Sequence, residues 1–448
     1  MNSNYKMNEM KKRILIVLCS LYVISMNLVA CSKKTMASPP PVVVVMDTGL
    51  VNTAHLDNLY IPVMFPGNIN AAGVFIYSQY PDYHPVDASG EGFTCVDDVA
   101  RAALVYLRSA KILSDTAMQN KLYNLLQFIV QMQSGNGYFY NFLMSGNAIN
   151  STGPTSVNNA NWWSWRALQA LTEAGPVIKN INAPLFSKMN TAVGLLVNRI
   201  KVDLAGQPAT TQVVMGITVP EWLPAGSGTD QSAVMILGLI NYSQSNNDSV
   251  ITSYITRLAD GIALMQQGDA THFPYNAFLS WQNTWHAYGN LQAYALMKAG
   301  NFLNNNQYKV LATAEVDNFY PWLLQNGYKA TFTISDSAGD YQILSQSSYD
   351  QIAYGIEPMV FAAAEAYRET GQAKYADMAG HLAAWFLGAN DGGVIMYNKS
   401  TGVCFDGLSQ GGQANMNSGA ESTIEALLTM QQVESDPAIT AALNKYKK

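Results

Sequence analysis

Three acidic residues stand where apolar helical segments are predicted to begin: Asp98, Asp230 and Glu421. Two carboxyl groups on opposite sides of a reacting bond can act as general acid and general base. An inverting displacement of this kind needs roughly 6.5 to 9.5 Å between the two groups, which adjacent residues do not span and separate helices do. We therefore take these three residues as the candidate catalytic pool.

Each of these acids also has a structural interpretation. Asp97 and Asp98 point about 100 degrees apart on a helix, and Asp97 is placed to pair with Arg101 four residues later, which leaves Asp98 the freer acid. Asp230 suits the positive end of a helix dipole. Glu421 follows Ser418 at the spacing of a capping box.

Aromatic and polar residues accompany the acids in the loops before the predicted helices, as in the segment Gly135 to Phe142. Flat rings beside acids and amides suit sugar recognition, although single aromatic residues more often belong to the core. The residues expected to bind substrate are Arg101, Trp162, Trp163, Trp222, His286, Tyr349 and Asp350. Asp350 and Glu357 are seven residues apart, so their relationship on a predicted helical face is also open to a structural interpretation.

The sequence lacks the motifs that are typical of metal-dependent, nucleotide-binding and serine-nucleophile enzymes. The sequence has no His-Glu-x-x-His, no Cys-x-x-Cys, no phosphate-binding loop, no dinucleotide fingerprint and no Gly-x-Ser-x-Gly elbow, so we expect no metal and no cofactor. A formal net charge of -6 argues against a general nucleic-acid partner.

The elements that must position these residues repeat. A loop end, a helix start bearing an acid, Trp or His, and a helix rich in small residues recur six times, at intervals of 56 to 69 residues. The markers of the six units are Asp98, Trp163, Asp230, His286, Gln351 and Ala420.

A second helix follows each of these starts. The predicted second helices cover residues 116–133, 183–201, 249–267, 309–325, 375–388 and 436–445. Six such hairpins predict an all-α (α/α)6 toroid over residues 91–448, preceded by a short irregular or β-containing segment at 42–90 that packs on it. An open solenoid or two separate bundles are the alternatives. We expect a monomer.

The N-terminal residues have the order of a secretory signal. Basic residues up to Arg13 precede an apolar run that ends in Leu28-Val29-Ala30-Cys31, which resembles a bacterial lipobox. We expect a signal peptide at 1–30, lipidation of Cys31, and a Pro-rich tether at 31–41 that joins the domain to the membrane of a bacterial cell envelope, at the outer membrane or the periplasmic face. An ordinary signal peptide and an uncleaved anchor are the alternatives.

Two cysteines then remain, Cys95 and Cys404. In a closed ring the first and last hairpins are neighbours, and both cysteines lie in loops that lead into inner helices. A disulfide between them is one expectation, and two free thiols are the other.

Three segments together resemble the six-hairpin glycosidase-like superfamily, in particular toroid domains that occur alone or beside glycosyltransferase modules. They are residues 92–102, 137–142 and 415–423, and the resemblance covers about residues 91 to 435. It implies a domain that acts on or binds carbohydrate. The second inner helix departs from the acidic, Ser-rich start of related domains because it begins Trp162-Trp163-Ser164-Trp165.

We therefore hypothesise a glycoside hydrolase of the envelope whose partner is an oligosaccharide or polysaccharide. One alternative is a polysaccharide lyase or sugar epimerase, with Tyr349 or His286 as base and Arg101 or Arg166 facing a carboxylate. The other is a lipoprotein that binds glycans without turning them over.

Overall fold

The structure, a computed structural model, describes residues 49–448. The expected signal peptide at 1–30, the tether at 31–41 and the lipidated Cys31 lie outside this range. Within it, no helix combines the length and apolar character needed to cross a bilayer.

Twelve of the helices described at 49–448 form six consecutive hairpins, as the repeat predicts. A short helix, α1 (Ala54–Leu59), precedes them. The inner helices are α2 (Val96–Leu107), α4 (Trp162–Ile181), α6 (Thr229–Ser245), α8 (Gln292–Phe302), α10 (Glu357–Thr370) and α12 (Ala420–Glu434). The outer helices are α3 (Thr116–Gln131), α5 (Ala183–Ala205), α7 (Ser249–Leu264), α9 (Asn306–Asn326), α11 (Ala373–Ala383) and α13 (Pro437–Tyr446).

The inner helices close into a ring. Each packs against the next one along the chain, and α12 packs against α2, so the (α/α)6 toroid is confirmed and the open solenoid is wrong. Ala and Gly at the contacts let these helices approach closely: a Cβ added at Gly238 of α6 would lie 2.7 Å from the side chain of Leu168 on α4.

Outer helices begin at polar caps that the sequence supplies. The side chains of Asp115, Asp248 and Asp436 accept hydrogen bonds from the first backbone amides of α3, α7 and α13. These caps explain why the predicted starts of the outer helices lie within three residues of the observed ones.

Short strands occupy the loops and the N-terminal segment. They are β1 (Tyr60–Phe65), β2 (Ile69–Val74), β3 (Tyr77–Gln79), β4 (His84–Val86), β5 (Thr94–Cys95), β6 (Phe142–Met144), β7 (Ala148–Ile149), β8 (Thr211–Val214), β9 (Ile217–Pro220), β10 (Gln266–Gln267), β11 (Ala277–Phe278), β12 (Thr284–His286), β13 (Thr331–Ser337), β14 (Asp340–Ser347), β15 (Tyr397–Asn398), β16 (Val403–Cys404), β17 (Gly407–Ser409) and β18 (Gln413–Asn415). All pairings are antiparallel, mostly two-stranded hairpins.

The fourth and fifth inner helices begin later than predicted. His286 lies in β12, which pairs with β13, and α8 begins only at Gln292. Gln351 precedes a 3-10 turn, and α10 begins at Glu357, with Pro358 in its first turn, where proline is tolerated. Asp350 and Glu357 therefore do not share a helical face, and Pro358 does not bend the helix.

Candidate active site

The first and last hairpins meet at a buried guanidinium. Arg101, on α2, has only 2% of its side chain exposed. Its Nη2 donates to Asp97 at 2.8 Å and Asp98 at 2.7 Å on the same helix, and to Glu421 of α12 at 3.2 Å. Its Nη1 donates to Glu425, also of α12, at 2.5 Å. One cation thus organises four carboxyl groups at the seam of the ring.

The aromatic ring of Tyr354 contacts two arginines beside this network. The guanidinium carbons of Arg101 and Arg166 lie 4.9 and 5.2 Å from the ring centroid of Tyr354, and Arg166 Nη2 donates to the Tyr354 hydroxyl. A Cβ added at Gly289 would contact both Tyr354 and Trp162. Trp162, at the start of the second inner helix, therefore extends toward the loops of the fourth and fifth hairpins. Trp162 is partly exposed.

Glu421 is the accessible acid of the cluster. Its side chain is 42% exposed although protein surrounds it, which is the situation of a carboxyl group in a cleft. Burial, opposed by Arg101 and aided by the nearby carboxylates, raises the pKa of Glu421 to about 7. The capping box is wrong: Gly419 caps α12, while the Ser418 hydroxyl accepts from the Cys404 amide.

Both aspartates bond Arg101, so the expected Asp97–Arg101 pair is present and Asp98 is not the freer acid. Asp98 is the buried one, with 6% of its side chain exposed against 23% for Asp97. It accepts from Arg101 and from the Cys95 thiol at 3.3 Å, and burial raises the pKa of Asp98 to about 6 despite Arg101. Asp98 therefore positions Arg101. Asp97 Oδ1 lacks a hydrogen-bond partner among the described residues and faces Arg166 Nε, likewise unpaired, at 3.8 Å.

Asp230 and His286 form a second pair in the third and fourth hairpins. Both are buried, and His286 Nε2 lies 3.1 Å from Asp230 Oδ2. The other ring nitrogen lies 2.9 Å from the Tyr288 carbonyl, and the Tyr288 ring stacks on the imidazole at 3.7 Å. Both nitrogens face acceptors, so the imidazole is held on both sides by protein and neither nitrogen is free for a substrate.

Beneath the arginine network the inner helices enclose a small cavity. All six contribute to its lining, and its polar lining residues include Arg101, Arg108, Arg166, Glu357 and Glu425. Burial, followed by the charge of Glu425, raises the pKa of Glu357 to about 8. The axis of the ring therefore carries ionisable groups that the apolar composition of the inner helices does not suggest.

Several residues expected to bind substrate serve the fold. Trp163 is buried and its Nε1 donates to the Phe139 carbonyl. Trp222 donates to the Arg257 carbonyl on the outer helix α7. Tyr349 is half-buried against the core, and Asp350 is exposed in the loop after β14.

The expected disulfide is absent: Cys95 and Cys404 are both free, buried thiols. The sulfur of Cys95 caps α2 by accepting from the Asp98 amide at 3.5 Å, and the Cys404 thiol lies 3.6 Å from the Phe405 carbonyl. Each sulfur thus has its own polar partner. Among residues 49–448 no group of three or more potential ligands is arranged to hold a metal ion.

Sequence reasoning missed Tyr354 and Tyr77 at this site. Tyr354 sits in the 3-10 turn before α10, where no helical period marks it. Tyr77 lies on β3, outside the repeat, yet its pKa is raised by burial and by the charges of Glu91, Asp98 and Glu421. The segment at 42–90 was expected to be irregular or β-containing, but nothing local indicated that Tyr77 would lie beside the acids.

No protein-family model and no curated protein matches the chain. Solved structures do. A sugar epimerase from a ruminal bacterium has a TM-score of 0.57 and 9% identity, over 83% of this chain and 94% of that one. Cellobiose 2-epimerase from Bacillus thermoamylovorans B4167 has a TM-score of 0.54 and 10% identity, over 81% of this chain and 92% of that one. A D-mannose isomerase has a TM-score of 0.53 and 13% identity, over 83% of this chain and 91% of that one.

The chain spans about half the length, 55% and 51%, of a glycoside hydrolase and a GH127 beta-arabinofuranosidase that it also matches, at TM-scores of 0.48 and 0.47. At these identities the likeness concerns the fold. The closed ring of inner helices and the three structures with TM-scores above 0.5 establish the (α/α)6 toroid fold, and the resemblance to six-hairpin glycosidase-like domains is confirmed at the level of that fold.

Proposed function

We propose that this protein is a carbohydrate-active enzyme, and specifically a glycoside hydrolase. The observation that carries the proposal is Glu421, an accessible carboxyl group in the cleft at the seam of the ring, with a pKa of about 7 and a second carboxylate beside it. A general acid works best when its pKa is near the working pH, because it then still holds its proton and releases it readily.

Glu421 is proposed to protonate the leaving oxygen of a glycosidic bond, and Asp97 to attack or stabilise the sugar carbon. Asp97 Oδ2 and Glu421 Oε2 both bond Arg101 Nη2, at 2.8 and 3.2 Å, so the two oxygens lie within roughly 6 Å of each other. This upper limit is shorter than the roughly 6.5 to 9.5 Å of inverting enzymes and is compatible with the separation of about 5 to 5.5 Å in retaining ones. The proposed pair of Asp97 and Glu421 replaces the inverting pair that separate helices were expected to supply.

The decisive experiment combines a substrate screen with stereochemistry. The purified protein is incubated with a panel of soluble polysaccharides and aryl glycosides, and new reducing ends are measured. Proton NMR of the first product formed then identifies its anomer. Retention supports the assignment; inversion would remove Asp97 as nucleophile, and the absence of any product across the panel would reject the hydrolase.

A sugar epimerase or isomerase is the alternative suggested by the names of the structural neighbours. The engaged nitrogens of His286, 3.1 Å from Asp230 and 2.9 Å from the Tyr288 carbonyl, do not favour it as a proton-abstracting base. Incubating reducing sugars with the protein in D2O tests this directly. Deuterium incorporation at carbon would decide for the epimerase.

We also propose that the enzyme is a monomeric envelope lipoprotein anchored through Cys31. The support is the order of the N-terminal sequence, basic residues followed by an apolar run and Leu28-Val29-Ala30-Cys31. Metabolic labelling with an alkyne fatty acid is expected to mark the wild type and not Cys31→Ala. Labelling of both would refute the assignment. Light scattering of detergent-solubilised protein tests the monomer.

A further inference from the structure

The N-terminal hairpin of β3 and β4 is attached to the segment that carries Glu421. Its backbone is tied to the loop that leads into α12: the Ala420 amide donates to the Ile76 carbonyl at 2.9 Å, and the Ser418 amide donates to the Ser78 carbonyl at 3.2 Å. The approach is so close that a Cβ on Gly419 would lie 2.3 Å from the Ile76 oxygen. The hairpin is therefore a fixed part of the seam between the first and last units.

This attachment places one aromatic side chain beside the candidate acid. Tyr77 directly follows Ile76, and Glu421 directly follows Ala420, so the Ile76–Ala420 hydrogen bond brings the two residues together. The electrostatic influence of Glu421, Asp98 and Glu91 on the pKa of Tyr77 agrees with that proximity.

Among the described residues 49–448, Tyr77 is also exposed. The Tyr77 residue is 49% exposed, while Ser78, on the opposite face of the strand, is buried and its hydroxyl donates to the Ser418 carbonyl. Single exposed aromatic residues are common on protein surfaces. Tyr77 differs from these because it stands on a rigid hairpin at the edge of the acid-lined cleft.

We propose that the Tyr77 ring is a sugar-stacking platform, a subsite for a neutral sugar unit next to the unit that reacts at Glu421. This inference rests on the proposed carbohydrate-active function. An aromatic face packs against the C–H groups of a sugar ring, and the rigid hairpin keeps the ordering cost of binding low. The surrounding carboxyl groups make the subsite unfavourable for uronates, so the substrate class is a neutral glycan with at least two units.

Affinity gel electrophoresis tests the subsite without needing turnover. The full-length protein is run in gels containing laminarin, xyloglucan, arabinoxylan, galactomannan or dextran, and dissociation constants come from retardation against polymer concentration. Tyr77→Ala and Tyr77→Leu are expected to bind the retarding polymer at least about tenfold more weakly than wild type, and Tyr77→Phe to bind within about twofold. Two independent truncations guard against a folding defect in one. Tyr123→Ala, a half-buried tyrosine of outer helix α3, is the matched control and is expected to bind normally.

Two outcomes would overturn the subsite: retardation of Tyr77→Ala and Tyr77→Leu equal to wild type, or no retardation of the wild type by any of the five polymers. Its failure is distinguishable from failure of the enzyme. A polymer that is bound through Tyr77 but never cleaved retains the subsite and rejects the hydrolase. A polymer that is cleaved and bound equally well by Tyr77→Ala retains the hydrolase and rejects the subsite.

Discussion

Arg101 donates to Glu421 across the seam of the ring, from Nη2 to Oε2 at 3.2 Å. The same nitrogen also bonds Asp97 and Asp98, and Nη1 bonds Glu425, so Glu421 shares its cation with three other carboxyl groups. This sharing matters because it leaves Glu421 incompletely neutralised, and burial can then raise the pKa of Glu421 toward 7. The predictions below follow from this arrangement.

Glu421→Gln is expected to lower turnover by about 10² to 10⁴-fold, the usual contribution of a general acid, with little change in melting temperature. The wild-type rate should fall as the pH rises above about 7, because Glu421 then loses the proton that it must donate. Glu369→Gln, at the exposed far end of inner helix α10, is the control and should retain activity. Equal rates for Glu421→Gln and wild type would remove Glu421 as the acid.

Arg101→Met should destabilise the protein by about 3 to 5 kcal/mol, because it leaves buried carboxylates without their cation. Urea titration of the free energy of unfolding measures the loss. Arg199→Met removes an arginine that is 43% exposed and paired with Asp203, and should cost at most about 1 kcal/mol. If both variants lost the same small amount, Arg101 would not be the organising cation of the seam.

Glu357→Gln should become progressively more stable than wild type as the pH rises from about 5 to about 8. Burial raises the pKa of Glu357 to about 8, so the folded wild type keeps this carboxyl neutral while the unfolded chain ionises it. The stability contributed by the raised pKa is complete below the unfolded pKa and is lost as the pH climbs toward 8. The difference should grow by about 1.4 kcal/mol per pH unit. Unfolding titrations at several pH values that give a constant difference would contradict this.

Trp162→Ala and Trp163→Ala should separate binding from folding. Trp163 is buried and donates to the Phe139 carbonyl, so its truncation should cost about 3 to 5 kcal/mol of unfolding free energy. Trp162 is partly exposed near Tyr354, so its truncation should mainly raise KM for a glycan substrate. Thermal melts and steady-state kinetics on both variants measure the split, and a reversed pattern would return Trp163 to the cleft.

Alkylation should find Cys95 and Cys404 free. Both thiols are buried, so they should resist iodoacetamide in the native protein and react after unfolding without a reductant. Peptide mass mapping locates the label on each cysteine. A peptide pair that joins the two residues and collapses only on reduction would restore the disulfide.

More of the fold than of the candidate site could be predicted from the sequence. Apolar residues at helical spacing and polar caps are local signals, and they predict six hairpins whose outer helices begin close to the observed residues. β12 was not predicted because its pairing partner, β13, comes about 45 residues later, and a strand of three residues is too short to show an alternating hydrophobic pattern.

At the site, the sequence predicted where the acidic residues lie along their helices, but it did not predict which residues they bond across the ring. Asp98 and Glu421 stand at inner-helix starts, as predicted, and the pairing of Asp97 with Arg101 follows from a spacing of four residues. The bonds from Arg101 to Glu421 and Glu425 join residues far apart in sequence, so no local pattern shows them.

Closure of the ring also sets when this protein can finish folding. Arg101 and Glu425 are separated by 324 residues, so the cation is made long before its last partner. At synthesis rates of about 5 to 20 residues per second, Arg101 waits roughly 16 to 65 seconds for Glu425. Throughout that interval the first five hairpins lack the helix that seals the seam, so the nascent domain is most vulnerable to proteolysis and aggregation until the sixth hairpin emerges.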